Sequence, residues 1–218
     1  MSPFLRWVVV LAAVVFGTSV FTLGYMAVSG KMWVTPAALA PNADVADLSL
    51  PNFELTDQLG RKQTEKLFEG EVTVLDFFFT NCPFACPKLT RAMWEMQRDL
   101  AGTRVRFASI SVDPAHDTVE KLKEHATAFG VDPGRWLMLT GPIETVRDIC
   151  VNRLKFNLAD DESTPIALTD GGTMHNISHP TRFILIGPDK RVLAIFGSDE
   201  SAIEACKQRA QAAAAGLR

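Results

Sequence analysis

Two cysteines four residues apart follow a long apolar run. Cys82 and Cys86 each precede a proline within LDFFFTNCPFACPKLTRAMWEM (residues 75–96). If the helix that follows begins near Cys82, the two side chains share one helix face. Backbone N–H groups at a helix N-terminus favour the thiolate and lower its pKa. Because paired thiolates form a disulfide or bind a soft metal ion, this segment predicts a redox or metal site.

The elements around the cysteines predict an α/β fold. Apolar runs of strand length alternate with amphipathic helix patterns, and the runs are VTVLDFFFT, VRFASISV, WLMLTG and TRFILIGPDKRVLAIFG. An N-terminal β-hairpin is predicted at NFELTDQLGRKQTE. This order implies a central mixed sheet with flanking helices, and a cysteine pair at the first strand–helix junction is the thioredoxin arrangement. We therefore predict a thioredoxin-like fold, in which the connection from Lys155 to Ser178 is long and has no clear period.

A histidine near the end of that connection offers a third ligand. His175 and His179 precede the strand in HNISHPTRFILIGP (residues 175–188). In a thioredoxin-like topology, the loop entering this strand lies beside the N-terminus of the first helix, which favours His179. Two thiolates and one imidazole suit copper, particularly Cu(I), and could also hold zinc. Disulfide exchange needs no imidazole, so His179 distinguishes a metal site from a purely redox site.

Three other residues have weaker functional signals. Asp113, in SVDP, ends the second buried strand near the same edge as the cysteines. It either accepts a hydrogen bond behind the metal ligands or caps a turn. Cys150 and Cys206 lie within amphipathic helix patterns, where a buried free thiol is the ordinary interpretation.

The N-terminal segment predicts a membrane anchor. Trp7 to Ser29 is uncharged and, as a helix, would be roughly 34 Å long, enough to cross a bilayer. A cleaved signal peptide would have a shorter apolar region and a nearer cleavage site. We expect one transmembrane helix within residues 1–30, a tether over 31–48 and a globular domain over 49–218. Arg6 and Lys31 flank the span equally, so charge does not determine its orientation.

Composition excludes two broad classes of protein. The 218 residues have a formal net charge of −3, which gives no electrostatic footprint for nucleic acid. Four cysteines are too few for a disulfide-stabilised scaffold of this length.

The motifs resemble those of the Sco/SenC family. DFFFTNCPFACP is similar to that family's T-x-C-P-x-x-C-P signature, and ISVDPAHDTVEKLKEHATAFG to its S-V-D-P-x-x-D-T block. HPTRFILIGPDKRV resembles its third block, in which a histidine leads into an apolar strand. Two acidic positions of many relatives differ here, because Phe84 and Ala85 stand between the cysteines and Ser178 precedes His179. The missing negative charge could weaken Cu(II) more than Cu(I).

The resemblance implies a function as well as a fold. It implies a membrane-tethered copper protein facing the bacterial periplasm or the mitochondrial intermembrane space, with Cys82, Cys86 and His179 as copper ligands. Its partners would be the cytochrome c oxidase subunit that carries the CuA site and a thiol reductant. Such a protein delivers copper to the CuA site or reduces its thiols. We therefore expect a copper chaperone, with a thiol-disulfide oxidoreductase as the alternative.

Overall fold

A seven-stranded mixed sheet is the centre of the fold in the computed structural model, which describes residues 39–168 and 171–217. The strands are β1 (Glu54–Asp57), β2 (Lys62–Thr64), β3 (Val72–Phe78), β4 (Val105–Ser111), β5 (Trp136–Thr140), β6 (Ala159–Ala167), β7 (Thr173–Ser178), β8 (Phe183–Ile186) and β9 (Val192–Phe196). The α-helices are α1 (Cys86–Asp99), α2 (Val119–Ala128), α3 (Ile143–Arg147) and α4 (Glu200–Ala215).

The sheet has the order β2-β1-β5-β4-β3-β8-β9. Strands β3, β4 and β5 are parallel, and the other neighbours are antiparallel. All seven residues of β3 are buried, as expected for a strand covered on both faces. The mixed sheet, the flanking helices and the N-terminal hairpin of β1 and β2 agree with the predicted architecture.

The helices form where apolar spacing and caps predict them. Leu89, Met93 and Met96 of α1 are buried at helical spacing. The Thr118 side chain accepts a hydrogen bond from the Lys121 N–H at 3.3 Å and so caps α2. Helix α3 is shorter than its pattern predicts, because the chain continues from Asp148 to Arg153 as a π-helical turn.

The long connection before His179 is a β-hairpin, which the sequence pattern did not reveal. Strands β6 and β7 pair with each other and form a separate two-stranded sheet. Most of their side chains are exposed or half-buried, and Ile166 and Met174 form one buried cross-strand pair. A strand pair with so little buried surface has no need of apolar alternation, so its sequence resembles a loop.

The predicted anchor (residues 1–30) and the first part of the predicted tether (31–38) lie outside the described residues. Within the described part of the chain, no helix is long and apolar enough to cross a bilayer. Residues 39–48 contact β9: the Asn42 N–H donates to the Leu193 carbonyl at 2.8 Å, and the Val192 N–H donates to the Leu48 carbonyl at 2.9 Å. Val45 in this segment is buried.

Candidate metal centre

Three potential metal ligands meet beyond the carboxyl end of β3. The sulfur atoms of Cys82 and Cys86 and a ring nitrogen of His179 all lie within 4.8 Å of one another. Cys86 Sγ is 3.3 Å from His179 Nε2. Cys82 and Cys86 are buried free thiols, and His179 is half-buried.

The two cysteines converge through a turn, which corrects the predicted helical spacing. Helix α1 begins at Cys86, so Cys82 lies in the turn before the helix. The Cys82 N–H donates to the Phe79 carbonyl at 3.3 Å, which bends the chain directly after β3. Pro83 disfavours a helical conformation of the residue before it, whereas a proline at the first positions of a helix, as Pro87 is, favours its start.

His179 reaches the cysteines because β8 lies beside β3. Leu75 of β3 pairs with Ile184 of β8, so the loop that precedes β8 lies at the end of β3. The His179 ring packs edge-on against Phe79, with 5.6 Å between the ring centroids. Its Nδ1 lies 3.1 Å from the Pro180 carbonyl oxygen. Because a carbonyl only accepts hydrogen bonds, this contact favours the proton on Nδ1 and leaves the lone pair of Nε2 free to bind a metal ion.

The two sulfur atoms have opposite protonation preferences. A hydrogen bond from Cys86 holds the pKa of Cys82 well below its usual range, and burial opposes this effect. The hydrogen bond with Cys82 raises the pKa of Cys86, and burial raises it further. Of the two sulfurs, Cys82 therefore loses its proton more readily.

Asp76 is a buried acid that the sequence analysis missed. It lies in the middle of β3 and is 1% exposed. Burial raises its pKa to about 7, against a hydrogen bond from Ser109. Its charge also raises the pKa of Cys86. The available signal was a single acid inside the apolar run VTVLDFFFT. Asp76 can therefore supply negative charge near the cluster, although the sequence has none at Phe84, Ala85 or Ser178.

Asp113 makes the contacts of a turn residue. Its carboxylate lies 2.8 Å from His116 Nδ1, and its carbonyl accepts hydrogen bonds from the N–H groups of His116 and Asp117. Its own N–H donates to Ser111 Oγ at 3.0 Å. These contacts correspond to the turn-cap interpretation of Asp113, and its predicted role behind the metal ligands stays a prediction.

The remaining cysteines and His175 are separate from the cluster. Cys150 lies in the π-helical turn and Cys206 in α4, and both are fully buried. Burial raises the pKa of each thiol to about 12, so both stay protonated at neutral pH. His175 is exposed on β7.

The cluster fits a soft metal ion with little movement. Sulfur and nitrogen ligands at about 2.0 to 2.3 Å from one ion lie at most about 4.6 Å apart. The three ligand atoms are within 4.8 Å of one another, and three ligands around one ion lie about 4 Å or less apart, so a contraction of under about 1 Å would close the site. Two sulfurs and one imidazole nitrogen favour copper or zinc over hard ions such as magnesium or calcium.

Known proteins resemble this chain in sequence and in structure. A family model described as SCO1/SenC matches residues 42–214. The SCO1 protein homolog of Bacillus subtilis is 28% identical over 161 residues, which are 72% of this chain and 78% of that protein. The solved structure of BsSco, described as a member of the Sco family of cytochrome c oxidase assembly proteins with a disulfide switch, is 26% identical. Its TM-score is 0.62 over 80% of this chain and 98% of that one.

A second similar structure contains copper. Yeast Sco1 with copper bound is 26% identical to this chain, with a TM-score of 0.58 over 74% of this chain and 87% of the yeast chain. These structural neighbours confirm the predicted thioredoxin-like fold.

Proposed function

This chain belongs to the SCO1/SenC family, and from that premise we propose that it is a membrane-tethered copper chaperone for cytochrome c oxidase. One observation carries the proposal: Cys82, Cys86 and His179 bring two sulfurs and one nitrogen within 4.8 Å of one another. The copper found in yeast Sco1 and the oxidase-assembly description of BsSco support it. The acceptor is the oxidase subunit that carries the CuA site.

The three side chains have distinct roles in holding the copper cargo. The Cys82 thiolate binds first, because its pKa is already low. Cys86 must lose its proton to bind, so copper loading releases a proton. Nε2 of His179 supplies the third ligand and allows the site to hold Cu(II) as well as Cu(I). Copper then leaves by exchange of these ligands for those of the acceptor.

The predicted anchor gives the location of this activity. A helix within residues 1–30 would tether the domain to the membrane, on the periplasmic side in a bacterium or the intermembrane-space side in a mitochondrion. Both compartments contain oxidised thiols, so copper loading requires a reductant that keeps Cys82 and Cys86 as the dithiol.

A thiol-disulfide reductase is the second candidate, and the low pKa of Cys82 favours it. The Cys82 thiolate would break a disulfide of the target and form a mixed disulfide with one of its sulfurs. Cys86 would then lose its proton and attack the Cys82 sulfur, which releases the target as a dithiol and leaves the Cys82–Cys86 disulfide. A thiol reductant would restore the starting state. The disulfide switch described for BsSco supports this chemistry.

Replacement of His179 separates the two candidates. His179→Ala removes the imidazole and keeps both thiols, so a chaperone should lose most of its copper affinity and fail to support oxidase assembly. The variant should still form the Cys82–Cys86 disulfide. The measurements are Cu(I) affinity of the purified chain and oxidase activity of cells complemented with each variant. His175→Ala is the matched control, because His175 is exposed on β7, the strand that precedes His179. Full complementation by His179→Ala would leave the reductase as the better account.

A further inference from the structure

A second buried carboxylate holds the chain segment that carries Cys82. Asp117 is fully buried in the loop between β4 and α2. Its Oδ1 accepts a hydrogen bond from Thr80 Oγ1 at 2.5 Å, and both carboxylate oxygens lie 3.2 Å from the Thr80 N–H. Its Oδ2 accepts a hydrogen bond from Ser111 Oγ at 2.5 Å. One carboxylate therefore joins the ends of two neighbouring strands.

Thr80 needs this contact because it lies beyond the sheet. The β3–β4 ladder ends at the pair of Phe78 and Ser111, and one further bond joins the Val112 N–H to the Phe78 carbonyl at 2.9 Å. Thr80 is two residues past the end of β3 and two residues before Cys82. Its backbone N–H and its hydroxyl both donate to Asp117, which fixes the position of the backbone as well as that of the side chain.

The position of Cys82 is consequently fixed through the residues that follow β3. Thr80 is bonded to Asp117, and the Cys82 N–H is bonded to the Phe79 carbonyl. Cys86 has a different support, because it is the first residue of α1. The distance between the two sulfurs therefore depends on a contact between the Cys82 turn and the β4–α2 loop. Burial raises the pKa of Asp117, and the hydrogen bonds from Ser111 and Thr80 oppose that rise.

We propose that Asp117 is a positioning residue for the site, which sets the location of Cys82 relative to Cys86 and His179 through its hydrogen bonds to Thr80. The copper part of this inference rests on the proposed function, and the disulfide part does not. Loss of the Thr80 contact should let the Cys82 turn move. Both copper binding and Cys82–Cys86 disulfide formation should then weaken, because each requires the two sulfurs to be held close together.

The test uses one carboxylate and its two partners. Asp117→Asn and Thr80→Val weaken the contact toward Cys82, whereas Ser111→Ala removes a hydrogen bond to the same carboxylate on the side of β4. Ser111→Ala is thus the control for a merely structural effect, and it is a stringent one, because it also removes the hydrogen bond from the Asp113 N–H to Ser111 Oγ. Cu(I) affinity of the full chain is measured by competition with a chromophoric chelator. The disulfide equilibrium is measured against glutathione disulfide, which is reduced to two glutathione molecules as the cysteine pair is oxidised.

The expected effects differ between the variants. Asp117→Asn should lower Cu(I) affinity about 10-fold or more, Thr80→Val should lower it several-fold, and Ser111→Ala should change it less than about twofold. The disulfide equilibrium constant should fall in the same order. The double variant Thr80→Val/Asp117→Asn should bind copper about as well as Asp117→Asn alone, because the two residues act through one contact.

Two outcomes would overturn the inference. One is wild-type copper affinity and disulfide equilibrium in Asp117→Asn. The other is an equal loss in Thr80→Val and Ser111→Ala, which would show that the carboxylate acts only on stability. If Asp117→Asn does not fold, the comparison of Thr80→Val with Ser111→Ala decides alone. If the wild-type chain binds no copper, the proposed function fails, and the disulfide equilibrium still decides the role of Asp117.

Discussion

Two buried carboxylates of the same sheet have opposite surroundings. Asp57, at the end of β1, accepts hydrogen bonds from the N–H groups of Leu59 and Arg61 and from the side chains of Arg61 and Gln63. Asp76, in the middle of β3, has a hydrogen bond from Ser109, but its Oδ1 has no hydrogen-bond partner among the described residues. Asp57 thus closes the β1–β2 turn, and Asp76 lies near the candidate metal centre.

The surroundings move the two pKa values in opposite directions. Burial raises the pKa of Asp57, but its hydrogen bonds outweigh burial and hold the pKa below the usual value. Burial dominates at Asp76 and raises its pKa to about 7. A fully bonded acid stabilises a fold, whereas an acid with an unpaired oxygen weakens it and is typical of a functional site. The acid with the unpaired oxygen is the one whose charge raises the pKa of Cys86.

The largest expected contrast is between Cys86→Ser and Asp57→Ala. Loss of a residue behind the ligands typically lowers metal affinity about 10- to 100-fold. Cys86→Ser removes a ligand itself, so it should lower Cu(I) affinity by more than this and keep the fold. Asp57→Ala should lower the free energy of unfolding by about 2 to 4 kcal/mol and leave one copper per chain. Copper content and urea unfolding of both variants test this. Loss of copper in folded Asp57→Ala would remove the distinction between the two regions.

The pH dependence of stability should separate the two acids. The pKa of Asp76 is raised from 3.8 to about 7, so its folded form binds a proton that the unfolded chain has already lost between these values. Stability should therefore fall as pH rises from about 4 to 7, by on the order of 4 kcal/mol from this group, and Asp76→Asn should remove that fall.

Asp57 should affect the free energy of unfolding at acidic pH. Its pKa is lowered, so its contribution is present above the usual carboxyl pKa and is lost as pH falls through the folded value. The measurement is urea unfolding of the copper-free chain between pH 3 and pH 8, for wild type, Asp76→Asn and Asp57→Asn. Asp117 contributes equally to all three proteins, so differences between the curves isolate each acid. Parallel curves for wild type and Asp76→Asn would mean that burial does not raise the pKa of Asp76.

The smallest effect is expected away from both acids. The double variant Cys150→Ala/Cys206→Ala should keep its copper stoichiometry, because both thiols are buried in helical segments outside the cluster. Each substitution removes one buried atom and should cost about 1 kcal/mol. Copper content and urea unfolding test this, with Cys82→Ser as the variant that loses copper. A folded double variant without copper would place the metal elsewhere.

Most of the fold could be predicted because its strands and helices are buried in regular ways. The continuous apolar run of β3 and the helical spacing of Leu89, Met93 and Met96 follow directly from what each element covers. The β6–β7 hairpin could not be predicted in this way. It pairs with itself and exposes most of its side chains, so its sequence has no apolar period.

The sequence predicted which three side chains meet at the candidate site, and it predicted their surroundings less well. Cys82, Cys86 and His179 have side chains with a distinctive chemistry, and the fold brings together the strand ends near them. Asp76 was missed because its effect depends on burial and on an unpaired oxygen, neither of which is visible in an apolar run. Asp117 was missed because it acts through Thr80, and this contact exists only after β3 and β4 pair.

The pairing of β8 with β3 also sets when the site can form during synthesis. His179 follows Cys86 by 93 residues, and it reaches the cysteines only after β8 has joined the sheet. At about 5 to 20 residues per second, a ribosome needs roughly 5 to 20 s to make that stretch. During this interval the nascent chain has both thiols but not yet His179. The three-ligand site is therefore available only to a chain in which β8 has paired with β3. A chain that holds the metal through all three side chains has formed this part of the sheet.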